Sequence, residues 1–275
     1  MGQRWLYTHV QPDLDAAASV WAMRTFVDRS FDVRFVPASW DGAELREEDV
    51  AVDLDCGIKG TRPNGSPGSA FRALMEEYAT KEDRSALWWL IEYVELQDTH
   101  GAVVRRLTPE GTDGRTIGIL TGACLNNVLL AQKRQFDTDI EWIDYAHPIF
   151  DSLLEEGRSR ARAQLEADRA VWYGEHVALL LESDEPTTAG VLFGRGAHIV
   201  VCSDGPNLRA VRRHDQHFRL DQDAITAILP EEERDTWFLH PAGFLVAHGT
   251  KKSPANIPSK LSPTLLAQAM QRLLS

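Results

Sequence analysis

His9-Val-Gln-Pro-Asp13-Leu-Asp15 lies between a short apolar stretch and an alanine-rich one, and this junction decides the predicted fold. Residues 5–10 are interpreted as a first β-strand, and residues 15–27, with apolar side chains at helical spacing, as the helix that follows. Two further strands are predicted at residues 33–37 and 50–54. This alternation is typical of a parallel sheet covered by helices, so the first part of the chain is predicted to be an α/β domain.

The remaining sequence predicts a helical middle and a second, smaller domain. Helical patterns occupy residues 69–78, 81–97 and 118–132, and a long charged amphipathic helix is predicted over residues 148–173. After Gly174 the pattern changes to short strands divided by turns, with a closing helix at residues 263–274. We therefore predict a parallel-sheet domain at residues 1–147, a connecting helix at 148–174 and a mixed α/β domain at 175–275.

The composition indicates a globular protein with a core of its own. Hydrophobic residues make up 43% and charged residues 25% of the 275 residues, far from a disordered composition. The formal net charge of −12 argues against the binding of long duplex DNA, because that affinity comes largely from lysines and arginines. A nucleotide or a short oligonucleotide held in a local cationic pocket beside bound metal is compatible with this charge.

Localisation is predicted from cysteine usage and from the distribution of apolar residues. Three widely spaced cysteines, Cys56, Cys124 and Cys202, form no C-x-x-C pair, which fits a reducing compartment. The first residues lead directly into a strand, and no stretch reaches the roughly 18 apolar residues of a membrane span. We expect a soluble cytoplasmic protein without a membrane partner, and the sequence leaves a homodimer open.

The segment from His9 to Asp15 is also the first candidate site. It follows a strand, and ligands of open α/β sheets collect at the carboxyl ends of the strands. Two carboxylates, Asp13 and Asp15, crowded beside an imidazole favour a bound cation, because unpaired charge is costly to bury. The alternative interpretation is that Asp13 or Asp15 only caps the helix and that His9 is an ordinary loop residue.

Two further acidic segments favour the metal interpretation. Asp53 and Asp55 lie at the end of the third predicted strand, and Asp98 and His100 close a predicted helix. Three acidic clusters at three element ends exceed what helix capping requires. Oxygen ligands with one or two histidines suit Mn²⁺ or Mg²⁺ better than a metal that selects thiolates, so we predict one or two such ions.

The order of these motifs resembles that of the DHH phosphoesterase superfamily. The motifs are H-x-x-x-D-x-D from His9, D-x-G ending at Gly57, a Ser-Ala helix start at Ser69 and D-x-x-G from Asp98. The sequence is most similar to the Myg1-like branch, whose members were once described as metal-dependent protein hydrolases and are now associated with exonuclease activity on RNA. The resemblance implies these metal ligands: His9, Asp13, Asp15, Asp55 with Asp53 as its alternative, and Asp98.

The resemblance continues in the C-terminal part of the chain. Phe238-Leu-His240-Pro-Ala-Gly243-Phe, followed by Gly249-Thr-Lys-Lys252, is similar to the His-x-x-Gly-Phe segment of that branch and the threonine after it. It implies that His240, Gly243 and Lys251 face a cleft between two domains. There they would hold the phosphate or the ribose of the substrate.

The Asp-His-His triplet that names the superfamily is absent from this chain. Between Gly57 and Ser69 the sequence contains no histidine. Lys59 and Arg62 in this stretch could supply positive charge to a phosphate oxygen, but they cannot ligate a metal in their protonated form. His100 is a candidate to compensate as a ligand, and the alternative is that it caps or packs at the end of its helix.

These observations favour an enzyme. We predict a Mn²⁺- or Mg²⁺-dependent phosphoesterase that hydrolyses a nucleotide or a short single-stranded nucleic acid in an interdomain cleft, with Asp98, Lys59 and His100 as catalytic residues. Because the triplet is missing, a second hypothesis is a catalytically degenerate metal- or nucleotide-binding protein of the same fold. A third is an interaction protein without metal, in which the acidic residues are helix caps and solvated turns.

Overall fold

The computed structural model describes residues 3–61, 65, 67–101, 103–183, 186–213, 220–250 and 252–274. The chain divides into two compact units, Met1–Arg158 (unit 1) and Ser159–Ser275 (unit 2). The division lies inside a long helix, in the part of the chain where the sequence predicts a connecting helix.

Unit 1 contains a three-stranded sheet in which all strands are parallel. The strand order is β2-β1-β3, with ranges Trp5–His9 for β1, Asp32–Val36 for β2 and Val50–Ala51 for β3. His9 pairs with Val36 and Tyr7 with Ala51, so the carboxyl ends of the strands lie at one edge. The predicted parallel α/β arrangement is confirmed. The third strand is shorter than predicted, because the chain turns immediately after Val52.

The remaining elements of unit 1 are mainly helical. A separate antiparallel pair is formed by β4 (Gly60–Thr61) and β5 (Pro67–Gly68). The helices are α1 (Leu14–Phe26), α2 (Ala70–Tyr78), α3 (Lys81–Ala86), α4 (Trp88–His100), α5 (Val103–Leu107), α6 (Gly114–Ala123), α7 (Leu125–Lys133) and α8 (Asp139–Ala167), the last of which contains the boundary between the units.

Two helices predicted from the sequence are each split in the structure. The segment predicted at 81–97 forms α3 and α4, which meet at Leu87, where the backbone leaves the helical region with φ −103° and ψ 11°. The segment predicted at 118–132 forms α6 and α7, which are separated by the extended residue Cys124. Apolar periodicity continues across both breaks, so it does not reveal them. The long helix begins at Asp139 and ends at Ala167, both earlier than predicted, and Pro148 lies inside it. Val171–Tyr173, which the sequence assigned to this helix, forms a strand.

The core of unit 1 forms around α1. Every residue from Leu14 to Met23 is buried, because the alanines of this helix allow neighbouring helices to approach closely. The Trp21 ring lies 6.2 Å from the Phe71 ring and 5.6 Å from the Phe150 ring, and its Nε1–H donates to Asp151 at 2.9 Å. Burial of each such side chain contributes about 1.5–3 kcal/mol. The start of α1, which follows the first acidic motif, is therefore rigidly supported.

Unit 2 is built on a mixed six-stranded sheet with helices on both faces. The strand order is β10-β11-β9-β8-β7-β6, with β6 at Val171–Tyr173, β7 at Val177–Leu180, β8 at Ile199–Asp204, β9 at Asn207–Arg212, β10 at Phe238–Leu239 and β11 at Leu245–His248. Strands β7 and β8 are parallel, and the other neighbours are antiparallel. The helices are α9 (Pro186–Gly194), α10 (Gln222–Ile228), α11 (Pro263–Leu274) and a 3₁₀ helix (Glu231–Thr236). The predicted mixed α/β class of this part is confirmed.

The three cysteines differ in their exposure to solvent. Cys56 is exposed, Cys124 is partly buried and Cys202 is buried, and no disulfide joins any two of these three described residues. Among the helices in the described ranges, none combines the length and the apolar character needed to cross a membrane.

Candidate functional site

Three side chains converge at the carboxyl-terminal edge of the parallel sheet. His9 is the last residue of β1, Asp13 is the N-cap of α1, and Asp53 lies two positions beyond the end of β3. Strands β1 and β3 are parallel neighbours, so the loops that follow them lie side by side. This is the edge at which open α/β sheets bind their ligands.

The turn after β3 determines where Asp53 points. Asp53 has a left-handed backbone with φ 52°, and its N–H donates to the Ile58 carbonyl at 3.0 Å. The Ile58 N–H in turn donates to the Ala51 carbonyl at 2.8 Å, which closes the loop on its own strand. A Cβ atom at Gly57 would lie 2.4 Å from the Ala51 oxygen, so this closure requires glycine.

His9 is held between two oxygen acceptors. Its Nδ1 lies 2.9 Å from the Val10 carbonyl oxygen, to which it donates, and its Nε2 lies 3.2 Å from Asp53 Oδ2. Asp13 Oδ1 is 4.0 Å from the same Nε2. An Nδ1–H bonded to a backbone carbonyl is a common way of fixing a histidine whose Nε2 binds metal.

The three side chains together form a donor set suited to a divalent cation. One ligand atom from each of His9, Asp13 and Asp53 lies within 4.8 Å of the other two. An imidazole with carboxylate oxygens matches the preferences of Mn²⁺, and the set leaves room for water or substrate oxygens. The residues therefore fit the predicted metal.

The electrostatics of this group also favour positive charge. The hydrogen bond to Asp53 raises the pKa of His9 to about 9, with further contributions from the Val10 carbonyl and the charges of Asp53 and Asp13, while burial acts in the opposite direction. At neutral pH a proton on His9 thus offsets part of the negative charge in the metal-free protein.

Asp98 lies near the end of α4 and joins the group through its charge. Partial desolvation, followed by the negative charges of Asp53 and Asp13, raises the pKa of Asp98 to about 6. Lys59 acts in the opposite direction on the same carboxyl. Asp98 is not one of the three residues of the donor set, but the charges of Asp53 and Asp13 act on its carboxyl group.

Asp15 is placed differently from the other predicted ligands. It is buried, and its two oxygens accept the backbone N–H groups of Ala70 at 2.8 Å and Phe71 at 3.0 Å. Its carboxylate therefore occupies the amino terminus of α2, where the helix dipole favours negative charge. Burial raises the pKa of Asp15 well above its usual value, and Asp53 and Asp98 add to this effect. The structure does not bring Asp15 into the donor set.

Asp55 and Lys59 form a pair beside the donor set. The Lys59 ammonium donates to Asp55 Oδ1 at 2.7 Å, and the Asp55 side chain is 73% exposed. The structure thus places Asp53, and not Asp55, with His9. The hydrogen bond to Asp55 raises the pKa of Lys59, and the charges of Asp53 and Asp98 also favour its protonated form.

The other predicted site residues lie outside the donor set or outside the described ranges. His100 is exposed at the end of α4, and its Nδ1 lies 2.6 Å from the Thr99 hydroxyl. In unit 2, the turn between β10 and β11 contains His240 and Gly243, whose N–H donates to the His240 carbonyl at 2.8 Å. Arg62 and Lys251 are not among the residues that the structure describes.

Unit 2 also contains a cavity that the sequence did not predict. Its volume is about 880 Å³. Phe238, Thr250 and Lys252 line it, together with Arg209 and His248. Three of these residues, Phe238, Thr250 and Lys252, belong to the segment that carries the C-terminal resemblance, whereas His240 and Gly243 are not among the described residues that line the cavity.

Two residues that no motif marks contact the loop between His9 and Asp13. Lys133 donates to the Pro12 carbonyl at 2.6 Å, and Asp139 accepts the Gln11 N–H at 2.8 Å. They are separated from these partners by 121 and 128 positions in the sequence. The spacing of residues within a short motif does not predict contacts between residues so far apart in the sequence.

Metal binding is expected to release protons in a pH-dependent way. A ligating imidazole must be neutral, so at pH 7.5 Mn²⁺ should displace roughly one proton, the one on His9. At pH 5.5, below the pKa of about 6 of Asp98, release should rise toward roughly two protons. Calorimetric titration in buffers of different ionisation enthalpy measures both values. Release near zero at pH 7.5 would contradict the displacement of a proton from His9 by the metal.

The same pKa of His9 predicts how the metal-free fold responds to alkali. Its folded-state value of about 9 lies above the ordinary 6.5, so the contribution to stability is complete below pH 6.5. It is lost as the pH rises through about 9. Thermal unfolding in EDTA across this range should show the decline in wild type and a smaller one in His9→Gln.

Comparison with known proteins gives only distant likenesses. No family model and no curated protein matches the sequence. The pGpG-specific phosphodiesterase PggH from Vibrio cholerae is 16% identical, with a TM-score of 0.30 and coverage of 92% of this chain and 94% of that one. RecJ from Thermus thermophilus in complex with Mn²⁺ is 12% identical, with a TM-score of 0.31 and coverage of 98% of this chain and 52% of that one. Likenesses at such TM-scores carry no argument about activity.

Proposed function

We propose that the chain is a divalent-metal-dependent phosphoesterase of the DHH type that hydrolyses a nucleotide or a short single-stranded nucleic acid. The observation that carries this proposal is the convergence of His9, Asp13 and Asp53 within 4.8 Å at the carboxyl-terminal edge of a parallel sheet. The order of motifs along the chain supports the same superfamily.

The side chains around the donor set suit phosphoester hydrolysis. His9, Asp13 and Asp53 would hold the cation, which when bound would polarise a phosphoryl oxygen and acidify water. Lys59 carries a positive charge within the field of Asp53 and Asp98, which suits it to offset negative charge on a phosphoryl oxygen. The pKa of Asp98, about 6, lies close to neutral, as required of a group that accepts a proton from water.

The substrate class is inferred from the motifs and from the net charge. The motif resemblance supports a nucleotide or nucleic acid phosphodiester. A formal charge of −12 disfavours extended contact with duplex DNA, since such contact depends on many cationic side chains. Short substrates avoid this repulsion, because bound cations and a few local lysines and arginines can neutralise them.

The first test is metal-dependent hydrolysis by the purified full chain. Dinucleotides and short single-stranded RNA and DNA are incubated with Mn²⁺, Mg²⁺ or EDTA, with duplex DNA as a control. Asp13→Asn keeps the helix N-cap and the side-chain volume but removes the anionic ligand. Turnover should require the cation and fall by more than about 100-fold in the variant, since even outer-shell partners of a metal cost 10–100-fold.

A second candidate function follows from the stretch between Gly57 and Ser69. Because it contains no histidine, a binding protein that holds metal or nucleotide without turnover is the alternative. Stoichiometric Mn²⁺ in wild type, its loss in Asp13→Asn and no hydrolysis of any substrate would support this alternative. Absence of metal from wild type after incubation with Mn²⁺, together with absence of nucleotide binding, would exclude both candidates.

A further inference from the structure

The loop between the first two residues of the donor set is held by contacts from a distant part of unit 1. Val10, Gln11 and Pro12 connect His9 at the end of β1 to Asp13 at the start of α1. The loop has one strained position, because Gln11 has a left-handed backbone with φ 54°. For a residue other than glycine this conformation costs about 1–2 kcal/mol, so contacts with the surroundings must hold it in place.

Lys133 holds the loop at the carbonyl group of Pro12. Its ammonium donates to the Pro12 carbonyl at 2.6 Å, and that carbonyl belongs to the peptide group that precedes Asp13. The ammonium also lies 4.9 Å from the centre of the Trp142 ring. Trp142 is fully buried and its Nε1–H donates to the Leu129 carbonyl at 3.0 Å, so the ring is fixed. Lys133 therefore has a defined position, unlike a solvated surface lysine.

Asp139 holds the loop at a second point, the backbone of Gln11. Its Oδ2 accepts the N–H of the strained Gln11 at 2.8 Å, and its Oδ1 lies 3.8 Å from the Lys133 ammonium. Both side chains are mostly buried, with exposed fractions of 21% for Lys133 and 24% for Asp139. Asp139 thus fixes the peptide group before Gln11, and Lys133 fixes the peptide group after Pro12.

We infer that Lys133 and Asp139 are positioning residues for the cation site, because they fix the loop that sets the separation of His9 and Asp13. This inference rests on the proposed function, since it assumes that those two side chains bind the cation. Neither residue belongs to the donor set. Their effect acts through the Gln11 and Pro12 backbone.

The positioning role and a purely electrostatic role predict opposite results. Asp13 and Asp139 both act on Lys133 by charge, so removal of the ammonium makes the surroundings of the site more negative. If charge alone mattered, Lys133→Met would bind Mn²⁺ more tightly. If position matters, Lys133→Met binds it more weakly, by roughly the 10–100-fold typical of lost outer-shell support.

The deciding experiment is calorimetric titration of the full-length protein with Mn²⁺ at fixed pH and ionic strength. Lys133→Met should raise the dissociation constant at least about tenfold. Lys133→Arg, which keeps a positive charge and an N–H donor at this position, should retain much of the wild-type affinity for Mn²⁺. Lys81→Met, at an exposed position in α3, is the matched loss of one positive charge and should leave the constant unchanged. Equal or tighter binding by Lys133→Met would overturn the inference.

A second pair of variants tests the other contact without relying on metal. Asp139→Asn retains an oxygen that can accept the Gln11 N–H, whereas Asp139→Ala does not. Amide hydrogen exchange at Gln11 in the metal-free protein should accelerate in the alanine variant and stay close to wild type in the asparagine variant. Equal protection in both would refute the assigned contact.

The outcomes separate this inference from the proposed function. If wild type binds no Mn²⁺, the proposed function and the positioning role both fail. If wild type binds Mn²⁺ and Lys133→Met binds it equally well, only the positioning role fails. If Lys133→Met does not fold, as judged by circular dichroism, the Mn²⁺ affinities of the two Asp139 variants decide: both lose the same charge, so weaker binding by Asp139→Ala than by Asp139→Asn supports the positioning role and equal binding overturns it.

Discussion

Asp53→Ala should abolish Mn²⁺ binding and lower hydrolysis by more than about 100-fold, whereas Asp55→Ala should change either quantity by no more than about threefold. The two residues are both aspartates, two positions apart in one turn. Asp53 lies 3.2 Å from His9 Nε2, and its side chain is 16% exposed. Asp55 is 73% exposed and contacts Lys59. Only the first is placed to share a cation with His9 and Asp13.

The two variants are measured side by side for metal content, affinity and turnover. Metal content is determined by elemental mass spectrometry after removal of loose ions, and affinity by titration. Asp55→Ala also serves as the control for the loss of one negative charge from the turn. A loss of metal in Asp55→Ala with retention in Asp53→Ala would show that the donor set is wrong. It would favour Asp55, which the resemblance of the motifs implies as the ligand ahead of Asp53.

Asp15→Ala should act mainly by lowering the free energy of unfolding, because Asp15 lies outside the donor set. The Asp15 carboxylate accepts two buried backbone N–H groups, those of Ala70 and Phe71. Each buried donor left without a partner costs about 1–3 kcal/mol, so the free energy of unfolding should fall by about 2–6 kcal/mol. Urea unfolding in EDTA, followed by circular dichroism, measures this without interference from metal.

A second aspartate provides the comparison for this stability effect. Asp113 also accepts a helix N–H, that of Thr116 at 3.0 Å, but at an exposed helix start. Asp113→Ala should therefore have a clearly smaller effect, because water can replace the lost acceptor. Asp15→Asn should fall between the two alanine variants, since it keeps one acceptor oxygen. Equal unfolding energies for wild type and Asp15→Ala would contradict the helix-terminus role.

The sequence predicted that acidic side chains would meet at one edge of the sheet, but the motif spacing did not determine which of them meet. Parallel strands end at one sheet edge, so residues just after β1 and β3 had to lie near one another, and His9, Asp13 and Asp53 do. The choice between Asp53 and Asp55 depended on the left-handed backbone at position 53 and on the closure of the turn. These are properties of three-dimensional packing that the motif spacing does not contain.

Asp15 shows that a motif residue can make contacts that the motif does not predict. It stands in the D-x-D pattern expected of a ligand, but its carboxyl group points to α2, whose amino terminus supplies two donors. The alternative interpretation of the sequence was that Asp13 or Asp15 caps a helix, and the helix meant was α1. That Asp15 would instead accept from α2, 55 and 56 positions later, depends on how two helices pack.

The support of the loop by Lys133 and Asp139 has a consequence for biosynthesis. The acidic side chains of the site are translated first, yet the residues that hold Gln11 and Pro12 follow 128 and 121 positions later. At about 5–20 residues per second, a nascent chain exposes its carboxylates for several seconds before α8 can dock. Cation loading should therefore follow the completion of unit 1, and ribosome-bound chains truncated before Lys133 should not retain Mn²⁺.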